Sequence, residues 1–117
     1  MNLLRFKAPA LIELVTPNAA PGLFAIPLTR DVKVINAFGF ASAAVAGVSA
    51  FQVYSLHTGQ RHNITGVVSL EGNLTTYVTD IIPEETTLRT GWTLGIEVFG
   101  KTQASIYVWV IPLPRAT

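Results

Sequence analysis

The chain has 117 residues, half of them apolar, with eight basic and seven acidic side chains, two histidines and no cysteine. That length is one domain, and its 13% charged residues are about half the ~25% usual for soluble globular chains. The cations are scattered from Arg5 to Arg115 and form none of the clusters that phosphate contacts require, which disfavours nucleic-acid binding. Without cysteine, stability has to come from packing or assembly rather than from disulfides.

Residues 1–10 read as an arm, with Leu3, Leu4 and Phe6 forming a short apolar patch among Arg5 and Lys7 before Pro9. The long apolar run of a secretory leader is missing from it. Leu11 to Val15 suits a first short strand, and Thr16 to Gly22 reads as a loop because of its two prolines and its glycine. The expected organisation is therefore an arm and loop over 1–22 and a single β-sandwich domain over 23–117. Leu23 to Leu28 is extended, with Pro27 confining it to a sheet edge or a strand end.

From Asp31 the alternation is regular, and Val32, Val34, Asn36, Phe38 and Phe40 are expected on one face. Ala41 to Ala43 reads as a turn or bulge, and Ala44 to Leu56 as a strand. Phe51 and Val53 lie on one side of it, Val48, Ala50, Tyr54 and Leu56 on the other. A buried, alanine-rich helix over 37–50 is the competing reading, but Gly39 and Gly47 weaken it and Val, Phe and Tyr crowd both ends. The region 34–56 carries no charge, yet Asn36, Ser42, Ser49, Gln52 and Ser55 interrupt it. A bilayer span needs about 20 consecutive apolar residues, so a membrane role is not expected.

His57 to Gln60 is a turn signal. Residues 63–70 alternate as a strand, Glu71 to Asn73 turns again, and Leu74 to Ile82 is a threonine-rich strand. Pro83 to Thr87 reads as an exposed loop. The final hairpin spans 90–111 with its turn at Gly100 to Thr102. Trp92, Leu94, Ile96 and Val98 share one face of its first strand. In the second, Ala104, Ile106, Val108 and Val110 form one apolar face while Tyr107, Trp109 and Ile111 make the opposite face apolar as well. A strand apolar on both sides belongs between two layers, or between a core and a neighbouring subunit. Seven or eight strands with turns every 8–12 residues define an all-β, antiparallel β-sandwich.

Chemistry-bearing constellations are sparse. His57 and His62 flank one turn and suit a cross-strand pair; two imidazoles are too few for a structural zinc, so no metal or cofactor is expected. Among the carboxylates only Glu97 alternates out of an apolar strand, with Lys101 or Arg89 as its expected partner. Glu84 and Glu85 read as a solvated loop, and the paired acids of a glycosidase cannot be located by spacing. No phosphate loop, nucleophile elbow or metal helix occurs, so no catalytic residue is assigned. The aromatics Trp92, Trp109, Tyr54, Tyr77 and Tyr107 suit core or interface, with a sugar-stacking platform as the alternative.

Three stretches carry a resemblance. Arg30 to Val34 enters a strand, Phe51 to Tyr54 is followed by a turn with Gly59, and Leu88 to Gly100 leads into a last strand. Over roughly 28–113 this order resembles small jelly-roll modules of tailed-bacteriophage virions, such as head-decoration proteins, head fibres and tail-fibre domains. The resemblance implies a non-enzymatic virion protein, commonly trimeric, whose partners are copies of itself and the major capsid protein. Its low charge points the same way, towards a homo-oligomer with Leu3, Leu4, Phe6, Tyr107, Trp109 and Ile111 at the interface. A carbohydrate- or receptor-binding module of a phage fibre or tail is the alternative.

Overall fold

A computed structural model describes residues 12–19, 22–41, 49–71, 74–100 and 104–114. The expected interface residues Leu3, Leu4 and Phe6 lie outside them, as do residues 42–48, where the start of the strand expected from Ala44 falls, and 101–103, in the expected turn at Gly100 to Thr102. Among the described residues are ten strand segments: β1 (Ile12–Ala19), β2 (Gly22–Pro27), β3 (Val32–Phe40), β4 (Ala50–His57), β5 (Gln60–Asn63), β6 (Val68–Ser69), β7 (Thr76–Tyr77), β8 (Thr87–Leu88), β9 (Thr93–Phe99) and β10 (Ala104–Pro112). A 3-10 turn covers Pro83–Glu85, and among the described residues no helix is long and apolar enough to cross a membrane.

The strands form two sheets, here called A and B. Sheet A runs β1-β10-β3-β7 with β8 also on β3, and sheet B runs β2-β9-β4-β5 with β6 also on β4. With β6 and β8 set aside, the first, eighth, third and sixth strands face the second, seventh, fourth and fifth. That is the order of a jelly roll. The sandwich inferred from alternation is thus the observed fold, but the hairpin expected over 90–111 is not. β9 pairs with β2 and β4 in sheet B while β10 pairs with β1 and β3 in sheet A, so the two strands face each other across the core.

The core lies between the sheets. Ile106, Val108 and Val110 of β10 face Phe51 and Val53 of β4 and Leu94, Ile96 and Val98 of β9, all nearly or fully buried. A Cβ on Gly39 would come within 2.8 Å of Ile106 and 2.9 Å of Phe51, so the missing side chain in β3 makes room for those two.

Several expectations are corrected. The Thr16–Gly22 loop is strand as far as Ala19, because β1 passes through Pro17 by a register shift between Thr16 and Ala19. β1 is the outer strand of sheet A, where a proline is tolerated. In β3 the common face of Val32, Val34, Asn36, Phe38 and Phe40 is broken. Val34 pairs with Val110 and Asn36 with Trp109, leaving Ile35 as a bulge. Beyond it the phase inverts: Ala37 and Gly39 go inside, and Phe38 and Phe40 outside. The Asn36 carboxamide oxygen accepts the Ala37 N–H at 2.8 Å, satisfying the backbone at the bulge.

The expected strands over 63–70 and 74–82 shrink to short pairings. Thr65 is the cause on the first. It is fully buried, its hydroxyl accepts the Val53 N–H and donates to the Gly66 carbonyl, and the N–H groups of Ile64 and Thr65 both bond the Val53 carbonyl. That doubled bond stops the regular ladder.

Candidate functional site

The two sheets present outer faces of different chemistry. On sheet A, Tyr107 lies directly opposite Phe38, and Phe38 opposite Tyr77, so three adjacent strands carry a row of rings. Phe38 stacks on Tyr107 with centroids 4.9 Å apart and planes 10° apart, and meets Tyr77 at 5.0 Å and Trp109 at 6.5 Å. These rings face outward because the Ile35 bulge turns Phe38 out while β10 alternates. Tyr77 remains 54% exposed, with Ile35 and Phe40 also exposed beside the row. The Trp109 Nε1–H is buried and finds no acceptor among the described residues, an uncommon condition for a buried indole.

The expected interface residues Tyr107, Trp109 and Ile111 are therefore together on one outer face. Tyr107 and Trp109 are half-buried under Phe38 rather than bare. Tyr77 is among the aromatics assigned to core or interface; Phe38 is the member that sequence reasoning missed. Alternation sets Phe38 on the face of Val32 and Val34, and only the bulge, which leaves no clear mark in the sequence, turns it to the other.

The outer face of sheet B is organised around Arg61. Its Nη1 donates to Glu97 Oε1 at 2.7 Å, its Nη2 to Gln52 Oε1 at 2.7 Å and its Nε to Asn63 Oδ1 at 2.9 Å. The guanidinium lies 4.0 Å above the centre of the Tyr54 ring, and Gln52 Nε2 in turn donates to the Thr65 carbonyl. Beneath, the Tyr54 ring covers Gly95, where any Cβ would overlap it. Burial pushes the Tyr54 hydroxyl pKa up, with Glu97 adding to the shift and Arg61 opposing it. Among the described residues the partner of Glu97 is thus Arg61 of β5, reaching across β4, and not Arg89; Lys101 lies outside the described residues. Sequence distance hid the pair, since 36 residues separate them.

The loops joining β2 to β3, β4 to β5 and β8 to β9 meet at one end of the sandwich. His57 is sandwiched there between His62 (4.0 Å, 9°) and Trp92 (3.6 Å, 10°), so the histidine pair does form across its hairpin. His62 Nδ1 lies 3.9 Å from Glu85, while His62 Nε2 and the opposing Ser55 Oγ are buried without partners among the described residues. Nearby, Asp31 accepts the Thr90 N–H at 2.8 Å, the Thr90 hydroxyl at 2.9 Å and Arg89 Nη1 at 3.1 Å. The Thr90 bonds hold the Asp31 carboxyl below the usual carboxylate range, with Arg89 contributing less. Among the described residues no three His, Asp or Glu side chains lie close enough to hold a metal ion.

What the fold and these faces define is an all-β jelly-roll sandwich with one polar and one aromatic outer face. No family model, curated protein or solved structure matches the chain.

Proposed function

We propose that this protein is a non-enzymatic structural subunit that works by self-association, as a decoration or cement component of a virion. The observation that carries the reading is the aromatic row Tyr107–Phe38–Tyr77, with Tyr77, Ile35 and Phe40 exposed along it. An exposed apolar surface of this kind suits a contact that another protein completes. Its centre is rich in Tyr, Trp and Phe, the composition of an interface core, with Glu13 opposite Trp109 and Lys33 opposite Ile111 in the ladder. The jelly roll is shared by viral capsid and lectin domains, so the fold is compatible with this role without assigning it.

The carbohydrate-binding alternative has less support, because a sugar needs a free ring face. Phe38 and Tyr107 cover each other, Arg61 covers Tyr54, and His57 covers Trp92, while Tyr77 stays open but is a single ring rather than a platform. Light scattering of the full chain tests the main reading. The expected result is an oligomer at micromolar concentration that Tyr77→Lys shifts to a smaller species. A monodisperse monomer would overturn it, and specific retention on a glycan array would favour the alternative.

A further inference from the structure

A separate surface indicates how copies of the chain join. β2 is the outermost strand of sheet B, and among the described residues no strand lies beyond it. The usual guards of an open edge are charges, prolines, bulges and extreme shortness. β2 carries one of them, Pro27 at its end, and none over Gly22–Ile26, whereas its neighbour in sequence, β1, has an irregular register and a proline, Pro17, within it. Phe24 packs on the core yet is only half-buried, and Leu23 is 64% exposed.

The direction of the open-side groups follows from the ladder. Leu28 N–H bonds the Trp92 carbonyl at 2.9 Å on the β9 side. Alternation then turns Ile26, Phe24 and Gly22 towards β9, and Leu23, Ala25 and Pro27 outward. Pro27 thus has its missing N–H on the open side, where a sheet tolerates it.

We infer that β2 pairs antiparallel with β2 of a second copy, with Phe24 opposite Phe24. In that register Leu23 of one copy faces Ala25 of the other. Each exchanges both an N–H and a carbonyl with its opposite, and Pro27 falls beyond the last bond. Centring the pair on Ala25 instead sets the Leu23 carbonyl against a proline that has no donor. The chosen register also places the two half-buried Phe24 rings against each other in the closer, non-hydrogen-bonded type of pair, which favours aromatic contacts. No charge lies on the strand to oppose the approach, and the two-fold contact closes on itself.

The inference deepens the self-association reading but uses a different surface, so the two can fail separately. Amide hydrogen exchange in the full chain is the first test. Slow exchange at Leu23 and Ala25 should appear as concentration rises. Fast exchange at every concentration would overturn the pairing. So would slow exchange at every concentration, which would mean that this chain covers its own edge. Ala25→Pro removes an outward N–H and leaves the bonds to β9; it should weaken the pairing at least about tenfold.

The chain has no native thiol, so single-cysteine variants report the register. A mixture of Leu23→Cys and Ala25→Cys chains should cross-link under oxidation far more than either alone, since only opposed residues approach within disulfide range. Cross-linking of Ala25→Cys alone to the same extent would overturn the register. If Tyr77→Lys dissolves the assembly but Ala25→Pro does not, the pairing fails and the wider reading stands.

Discussion

The outer faces of sheets A and B solve the same problem in opposite ways. Each carries aromatic side chains on a surface that the sandwich itself does not bury. On sheet B, Tyr54 is capped by Arg61, and the guanidinium bonds Glu97, Gln52 and Asn63 within the chain. On sheet A, the rings cover one another, and the Trp109 N–H is left without an acceptor among the described residues. A face whose rings are capped by bonded polar groups gains little from a partner. One that retains exposed rings, as Tyr77 does at 54%, gains a great deal.

The sharpest way to break the comparison is Gly95→Val. The new side chain would displace the Tyr54 ring and with it the seat of Arg61, so we expect a loss of about 3 kcal/mol in denaturant unfolding, with any assembly through sheet A retained. Next, Arg61→Ala leaves the nearly buried Gln52 oxygen without its donor and should cost about 2 kcal/mol. Arg61→Lys should recover only part of this, because an ammonium cannot reproduce the fork. If both changes are neutral, the polar face is not a structural lock.

On the other face, Phe38→Ala should lower stability by about 1–2 kcal/mol, since it removes the ring on which three others converge, and should weaken assembly more than it weakens the fold. Sedimentation of the variant at concentrations where it is fully folded separates the two effects.

Smaller effects come from titration. The Tyr54 pKa is raised on folding, so its contribution is complete below the unfolded value near 10 and is lost as pH climbs through the folded one. Tyr54→Phe should flatten the alkaline limb of the stability profile. The Asp31 pKa is lowered, so its contribution is present above its ordinary value of 3.8 and disappears as pH falls through the folded value. Asp31→Asn should flatten the acid limb, and as Asp31 belongs to the end loops it should leave both faces unchanged.

Much of this architecture is legible in the residues. The period of two in Leu94, Ile96 and Val98 and in Ile106, Val108 and Val110 places β9 and β10 with their inner faces correct, because nothing in those strands disturbs the pleat. Pro27 marks a strand end on a sheet edge as expected. His57 and His62 meet because the turn between them is short and fixes the register. What escaped was long-range or irregular. The Arg61–Glu97 pair depends on which strands become neighbours, and the Phe38 row depends on a bulge that alternation alone cannot reveal. Thr65 looked like an ordinary strand residue until its hydroxyl bonded the backbone of β4.

The bulge at Ile35 gives β3 one residue more than its neighbour in the ladder requires. Even-numbered positions fill the interior before it and odd-numbered ones after it, so a single strand is read in two frames. Excising Ile35 would bring β3 into step with β10 and still leave Phe38 turned outward. An insertion beside it, with the bulge retained, would tip the row of rings inward, where Ala37 and Gly39 now sit. The contact character of this surface is thus sensitive to added chain length at one point, and such an insertion would alter it more than most substitutions.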